Sequence, residues 1–170
     1  DHPGQPKLVV SNNTKAHGLG FAEKNSVETF AFDVEKIEDN LIFEEKTLQV
    51  LKEKNIDIIC LAGFMKILSE KFIKSFSKPI LNIHPSLLPS FKGLNTHERV
   101  LKNHEEVTGC TVHEVTRKLD CGRILGQATV PIFPEDNVEA IKSRVLEKEH
   151  VLYPKTLEQF CLGRSDLIIM

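Results

Sequence analysis

Short apolar runs alternate with stretches in which apolar residues recur every three or four positions, the spacings of strands and helices in turn. Leu8-Val9-Val10-Ser11 has the make-up of a buried strand, residues 15–24 read as a helix, and residues 27–32 as a second strand. Residues 43–55 set Phe43, Leu48 and Leu51 among charges, an amphipathic helix pattern. Ile56-Asp57-Ile58-Ile59-Cys60-Leu61-Ala62 predicts a strand buried on both faces, as in parallel sheets covered by helices. Ser69 ahead of Glu70, Phe72, Ile73 and Phe76 predicts an N-capped short helix. Residues 79–83 predict a further strand, ending among the polar Asn82 and His84.

In the second half, β-branched runs at 107–115 and 124–132 have no helical segment between them and predict two antiparallel strands. Asp136 with Glu139 three residues on resembles a capping box that opens a helix through Ile141 and Val145. Tyr153-Pro154 should kink that helix or start a new one, and Gly163 should end it. No repeat or low-complexity segment interrupts the chain, so residues 1–170 read as one domain. The class is α/β: an open, mostly parallel sheet with helices on both faces and an antiparallel extension in the C-terminal half. Ligands of such sheets bind at the carboxyl ends of strands, which places Gly63-Phe64-Met65 and residues 82–84 in a crevice.

A hydrophobic fraction of 41% and a charged fraction of 27% over 170 residues are those of a folded, soluble domain with a sizeable core. A net charge of −2 with no dense basic run argues against a nucleic-acid partner. No apolar stretch reaches the length of a membrane span, and Asp1-His2-Pro3-Gly4 lacks the basic and apolar regions of a signal peptide. The widely spaced Cys60, Cys110, Cys121 and Cys161 read as reduced thiols of a cytoplasmic protein, with Cys60 and Cys110 inside core strands.

The densest polar signal on an apolar background is Asn82-Ile83-His84-Pro85-Ser86-Leu87-Leu88-Pro89. Two residues apart on an extended backbone, Asn82 and His84 point to the same face. An amide donor beside an imidazole fits the stabilisation of an oxyanion in acyl transfer, although a strand-end Asn and His are more often structural. Asp120, in the turn-like Lys118-Leu119-Asp120-Cys121-Gly122, either bonds local backbone donors or serves as a carboxylate partner that favours the imidazolium of His84. His97, His104 and His113 match no metal-binding spacing, so no metal is expected. His97 reads as a cap or support of the helix from Glu98, and His113 as facing one side of a strand. Gly18-Leu19-Gly20 and Gly122 lack the pattern of a phosphate cradle.

Taken together, Leu61-Ala62-Gly63-Phe64-Met65-Lys66-Ile67-Leu68, the Asn82–Pro89 run, Gly93-Leu94-Asn95-Thr96-His97, Leu119-Asp120-Cys121-Gly122 and Glu147-Lys148-Glu149-His150-Val151-Leu152-Tyr153-Pro154 stand in a recognisable order and spacing. The chain resembles the folate-dependent formyltransferases, and within them the glycinamide ribonucleotide branch, from about Val9 to Gly163. The resemblance implies a Rossmann-like fold and transfer of a formyl group from 10-formyltetrahydrofolate, as co-substrate, to the amine of glycinamide ribonucleotide in purine synthesis. It also implies small-molecule partners only, with neither nucleic acid nor membrane, in a cytoplasmic monomer or homodimer.

By position, Asn82, His84 and Asp120 correspond to the family's catalytic trio. Met65, Lys66, Ile67 and Leu68, with Thr116, Arg117, Lys118, Leu119 and Asp120, correspond to its folate-enclosing segments. Leu146, Glu147, Lys148 and Glu149, together with Asn82, correspond to its nucleotide-binding residues, with Glu149 suited to accept from ribose hydroxyls. Relatives open with a strand and a glycine- and serine-rich loop that holds the substrate phosphate. This sequence begins after that point, so a truncated form without them is expected. Asn40 stands near a position that is often arginine in bacterial relatives, which puts that folate contact in doubt. Two rival readings follow: a related formyltransferase acting on another amine, and a folate-binding module without turnover.

Overall fold

A computed structural model describes residues 2–35 and 37–170; Asp1, where the segment weighed above as a signal peptide begins, and Lys36 lie outside the described residues. The chain divides into two compact units.

One unit holds Gln5–Asp57 and Leu68–Lys78. Its strands β1 (Leu8–Ser11) and β2 (Glu28–Ala31) pair in parallel from Leu8 opposite Glu28 to Ser11 opposite Ala31. Helix α1 (His17–Lys24) joins them and packs on both, burying Leu19 and Ala22. Helix α2 (Ile37–Glu53) packs against α3 (Glu70–Phe76). The sequence places only the latter part of α2, because Leu41 and Ile42 are exposed and add nothing to the apolar stripe that marks the rest. Ser69 caps α3 as its position predicts, accepting from the Phe72 N–H at 3.0 Å. Its own hydroxyl donates to the buried carboxylate of Glu44, which also accepts from the Ser69 N–H at 2.8 Å.

The other unit holds Ile58–Ile67 and Pro79–Met170. Its sheet runs in the order β3 (Ile59–Leu61), β4 (Ile80–His84), β5 (Val107–Glu114), β6 (Ile124–Pro131), β7 (Ile168–Ile169). The β3–β4 and β6–β7 pairs are parallel; β4–β5 and β5–β6 are antiparallel, so the antiparallel section falls where the two β-branched runs place it. Helix α5 (Val138–Cys161) packs on β5 and β6, and α4 (Thr96–Lys102) packs against α5. The core joins Leu81, Val112 and Val130 of the sheet to Ile141, Val145 and Leu152 of α5, each about 1% exposed or less. Because side chains alternate along β4, committing Leu81 and Ile83 to this core turns Asn82 and His84 to the opposite face.

Three local expectations are corrected. Strand β3 covers only Ile59–Leu61 at the edge of its sheet, and Cys60 is exposed rather than buried in a core strand. The cap of α5 is Asn137, whose side chain accepts from the Ala140 N–H at 2.9 Å. Asp136 is committed elsewhere: its carboxylate takes both Arg144 guanidinium bonds at 2.8 Å and the Phe133 N–H at 2.7 Å. Finally, no new helix starts at Tyr153-Pro154: α5 continues through Pro154 as one element, since Pro154 and His150 lie on the exposed side, where water can serve the carbonyl left without its helical donor. Gly163, at φ +69°, follows the end of α5 as expected. Among the described residues no helix is long and apolar enough to cross a membrane.

The Arg144 hydrogen bonds, with that from Phe133, lower the Asp136 carboxyl to about 2. A carboxyl depressed in the folded state adds stability above its unfolded value of about 4, and that stability is lost as pH falls through about 2. Asp136→Asn should therefore lower the urea midpoint at pH 7 and leave it close to that of the unsubstituted chain at pH 2. Equal midpoints at pH 7 would count against the pairing.

Candidate active site

Antiparallel pairing sets Asn82 opposite His113 and His84 opposite Thr111, so four polar side chains share one face of β4 and β5. A register shift between Val112 and His113 marks a β-bulge at this point of the β5–β6 ladder. Bulges re-aim side chains, and this one lies where the polar face needs His113 directed at Asn82.

Thr111, fully buried, anchors the loop that leaves β4. Its hydroxyl donates to the Ser86 carbonyl at 2.7 Å and accepts from the Leu88 N–H and the Gln127 amide, each at 3.0 Å. The Gln127 amide also donates to the Leu88 carbonyl at 2.9 Å, and the Ser86 hydroxyl to the Ser90 carbonyl at 2.6 Å. The loop, which contains a cis Leu88–Pro89 peptide, is thus held on both sides and delivers the Phe91 carbonyl to His84. His84 Nε2–H donates to it at 2.9 Å. With a proton on Nε2 already engaged, a second proton on His84 would sit on Nδ1, and Nδ1 faces Asp120 Oδ2 at 3.5 Å.

Asp120 belongs to the turn between β5 and β6 and takes a left-handed conformation, φ +48°, which aspartate tolerates better than most residues. The turn carries its carboxylate inward to 9% exposure, where Oδ2 accepts from the Gly93 N–H at 2.8 Å. Oδ1 lies 3.6 Å from His113 Nε2. His113 is itself 2% exposed, its Nδ1–H donating to the Glu114 carbonyl at 2.9 Å and its Nε2 lying 3.2 Å from Asn82 Nδ2. Burial holds its pKa below the ordinary imidazole value. Beyond facing one side of a strand, sequence reading gave His113 no part in a site. The signal was present: Thr111 and His113, two apart in an apolar run, mirror Asn82 and His84 on the neighbouring strand.

His84 and Asp120 therefore meet directly, and Asn82 joins them through His113. Of the residues aligned with folate-enclosing segments, Met65, Lys66 and Ile67 are exposed after β3, and Leu68 is buried in the other unit. Thr116, Arg117, Lys118 and Leu119 form the exposed approach to the Asp120 turn, with Thr116 and Lys118 bonded to each other. Leu146, Glu147, Lys148 and Glu149 lie along α5, outside the trio's hydrogen-bonded set among the described residues; burial raises the Glu149 carboxyl. Asn40, on α2, buries its side-chain oxygen without a partner. His97 lies in the first turn of α4 rather than ahead of it, its Nδ1 buried without a partner. Among the described residues no group of three His, Cys, Asp or Glu side chains is arranged to hold a metal ion.

The profile of the formyl transferase family matches residues 1–157. The phosphoribosylglycinamide formyltransferase of Haemophilus influenzae is 40% identical over 167 residues, 98% of this chain and 79% of that protein. The trifunctional purine biosynthetic protein adenosine-3 of Gallus gallus is 45% identical over 156 residues, 92% of this chain and 16% of that protein. A crystal structure of phosphoribosylglycinamide formyltransferase from Anaplasma phagocytophilum superposes with a TM-score of 0.86 at 43% identity, over 92% of this chain and 74% of that one.

Gly122 closes the Asp120 turn so tightly that a Cβ there would overlap the Glu114 carbonyl oxygen and come 3.2 Å from Thr116 Cγ2. Gly122→Ala should cost about 1–3 kcal/mol of unfolding free energy, the usual range for forcing atoms into a filled site. Chemical denaturation of the two proteins tests this, and unchanged stability would refute so close a fit.

Proposed function

The chain belongs to the formyl transferase family, and from that membership we propose that it transfers the formyl group of 10-formyltetrahydrofolate to the amine of glycinamide ribonucleotide. The observation that carries the proposal is the approach of His84 Nδ1 to the buried Asp120 carboxylate at 3.5 Å, on the sheet face that also holds Asn82. In this reading the substrate amine attacks the formyl carbon, a nitrogen–carbon bond forms, and the carbonyl oxygen becomes an oxyanion. Asn82 Nδ2 donates to that oxyanion. A proton on His84 Nδ1, favoured by the nearby Asp120 carboxylate, turns to the oxyanion as a charge-assisted donor or passes to the folate N10. The bond to N10 then breaks, and the proton lost by the amine replaces the one N10 has received.

The Met65–Leu68 and Thr116–Asp120 segments are assigned to folate. The exposed apolar side chains of Met65, Ile67 and Leu119 give a flat aromatic ligand something to cover. Leu146, Glu147, Lys148 and Glu149 are assigned to the nucleotide; a half-buried carboxylate such as Glu149 gains where ribose hydroxyls donate to it. Both partners are small molecules, and the setting is a cytoplasmic monomer or homodimer acting in purine synthesis as one formyltransferase domain.

Asn82→Ala, His84→Ala and Asp120→Asn should each lower turnover by roughly 10²-fold or more, the scale for losing one oxyanion donor or its support. Labelled 10-formyltetrahydrofolate offered with glycinamide ribonucleotide, methionyl-tRNA or an amino-sugar nucleotide identifies the acceptor from the product that takes up label. Label on either of the last two alone would move the chain to another branch of the family. Folate binding by calorimetry with no labelled product would make it a binding module.

A further inference from the structure

We propose that His113 is a positioning residue that fixes which end of the Asn82 amide faces the reacting oxygen. The inference deepens the formyl-transfer reading and rests on it. An asparagine side chain presents N–H donors at one end and a carbonyl acceptor at the other, and a half-turn about its last bond exchanges them. Only the donor end can stabilise an oxyanion; the acceptor end would repel it. Asn82 therefore needs something that tells its two ends apart.

His113 supplies that distinction. Its Nδ1–H is committed to the Glu114 carbonyl at 2.9 Å, an acceptor with no proton to offer. In a neutral imidazole the other nitrogen, Nε2, then carries a lone pair and no proton. That lone pair faces Asn82 at 3.2 Å and can be met only by the amide N–H. One N–H of Asn82 Nδ2 is taken by His113, and the second stays available on the face shared with His84. The alternative, a proton on Nε2, would invite the Asn82 carbonyl instead and turn the wrong end toward His113. Asp120 Oδ1 at 3.6 Å would favour that proton, whereas the 2% exposure of the ring and the nearby His84 oppose it. The placement of the ring is geometric: cross-strand pairing puts His113 opposite Asn82, beside the register shift between Val112 and His113.

The role separates from a merely structural one by a double-mutant cycle in formyl-transfer assays. His113→Leu keeps the bulk and removes the lone pair. It should lower kcat by about 10-fold, short of the roughly 10²-fold cost of losing the donor itself, with KM for either substrate within about twofold. In the Asn82→Ala background the same substitution should change kcat by less than about twofold, because the group it acts through is gone. His113→Gln, whose side-chain oxygen can accept in place of Nε2, should regain most of the loss. An equal loss in both backgrounds, or no loss in the single variant, overturns the proposal. Should His113→Leu fail to fold, imidazole nitrogen NMR of the unsubstituted protein decides: a protonated Nδ1 with a bare Nε2 supports the role, and a protonated Nε2 overturns it. An unsubstituted protein that transfers no formyl group to any amine would fail the underlying reading, while the NMR result would still report on His113.

Discussion

A carboxylate brought to 9% exposure needs partners, and the site is arranged around meeting that need for Asp120. Its Oδ2 accepts from the Gly93 N–H and faces His84 Nδ1, so one side chain ties a loop amide to the imidazole of β4, while His113 Nε2 lies 3.6 Å from Oδ1. Both rings are anchored in turn to backbone, His84 to Phe91 and His113 to Glu114. Removing the aspartate would leave polar groups of a strand and a loop short of a partner in an interior where water cannot replace it. The left-handed turn, the glycine that closes it and the clamped loop after β4 can all be understood as conditions for keeping that carboxylate in place.

In the proposed reaction, preorganisation and stability pull in the same direction. The Thr111 hydroxyl and the Gln127 amide bond Ser86 and Leu88 of the loop, and none of these bonds goes to a candidate catalytic side chain. They nonetheless fix the path of the chain that ends at the Phe91 carbonyl, and through it the orientation of the His84 ring. A site supported by buried cross-strand bonds keeps its donors aimed before substrate arrives, so little reorganisation remains when charge develops.

Much of this was legible in the residues alone. The strand at Leu8–Ser11, the Ser69 cap, the Asn82–His84 strand end, the antiparallel pair and the Gly163 terminator all rest on local patterns that tertiary structure did not override. What escaped was decided at a distance. Asp136 has the spacing of a cap, but Arg144 competes for it more strongly than a backbone N–H can. Cys60 has apolar neighbours in sequence, yet lies on a strand at the edge of its sheet. His113 gains its meaning only from register, since nothing near it in the chain reveals that Asn82 lies across the ladder. The pairing of His84 with Asp120 likewise depends on a turn that lies 36 positions further along the chain, from 84 to 120.

The three residues Asp120, Cys121 and Gly122 differ sharply in how freely they could be exchanged over many generations. The first is confined by its backbone angle and its buried charge, and the third by the absence of room for even a methyl group. Between them Cys121 is exposed, with the Lys92 ammonium 2.7 Å from its sulfur as its visible attachment. Neutral drift in this turn is therefore funnelled into its middle position, and descendants of this chain can acquire new surface chemistry one residue from the buried carboxylate while inheriting that carboxylate intact.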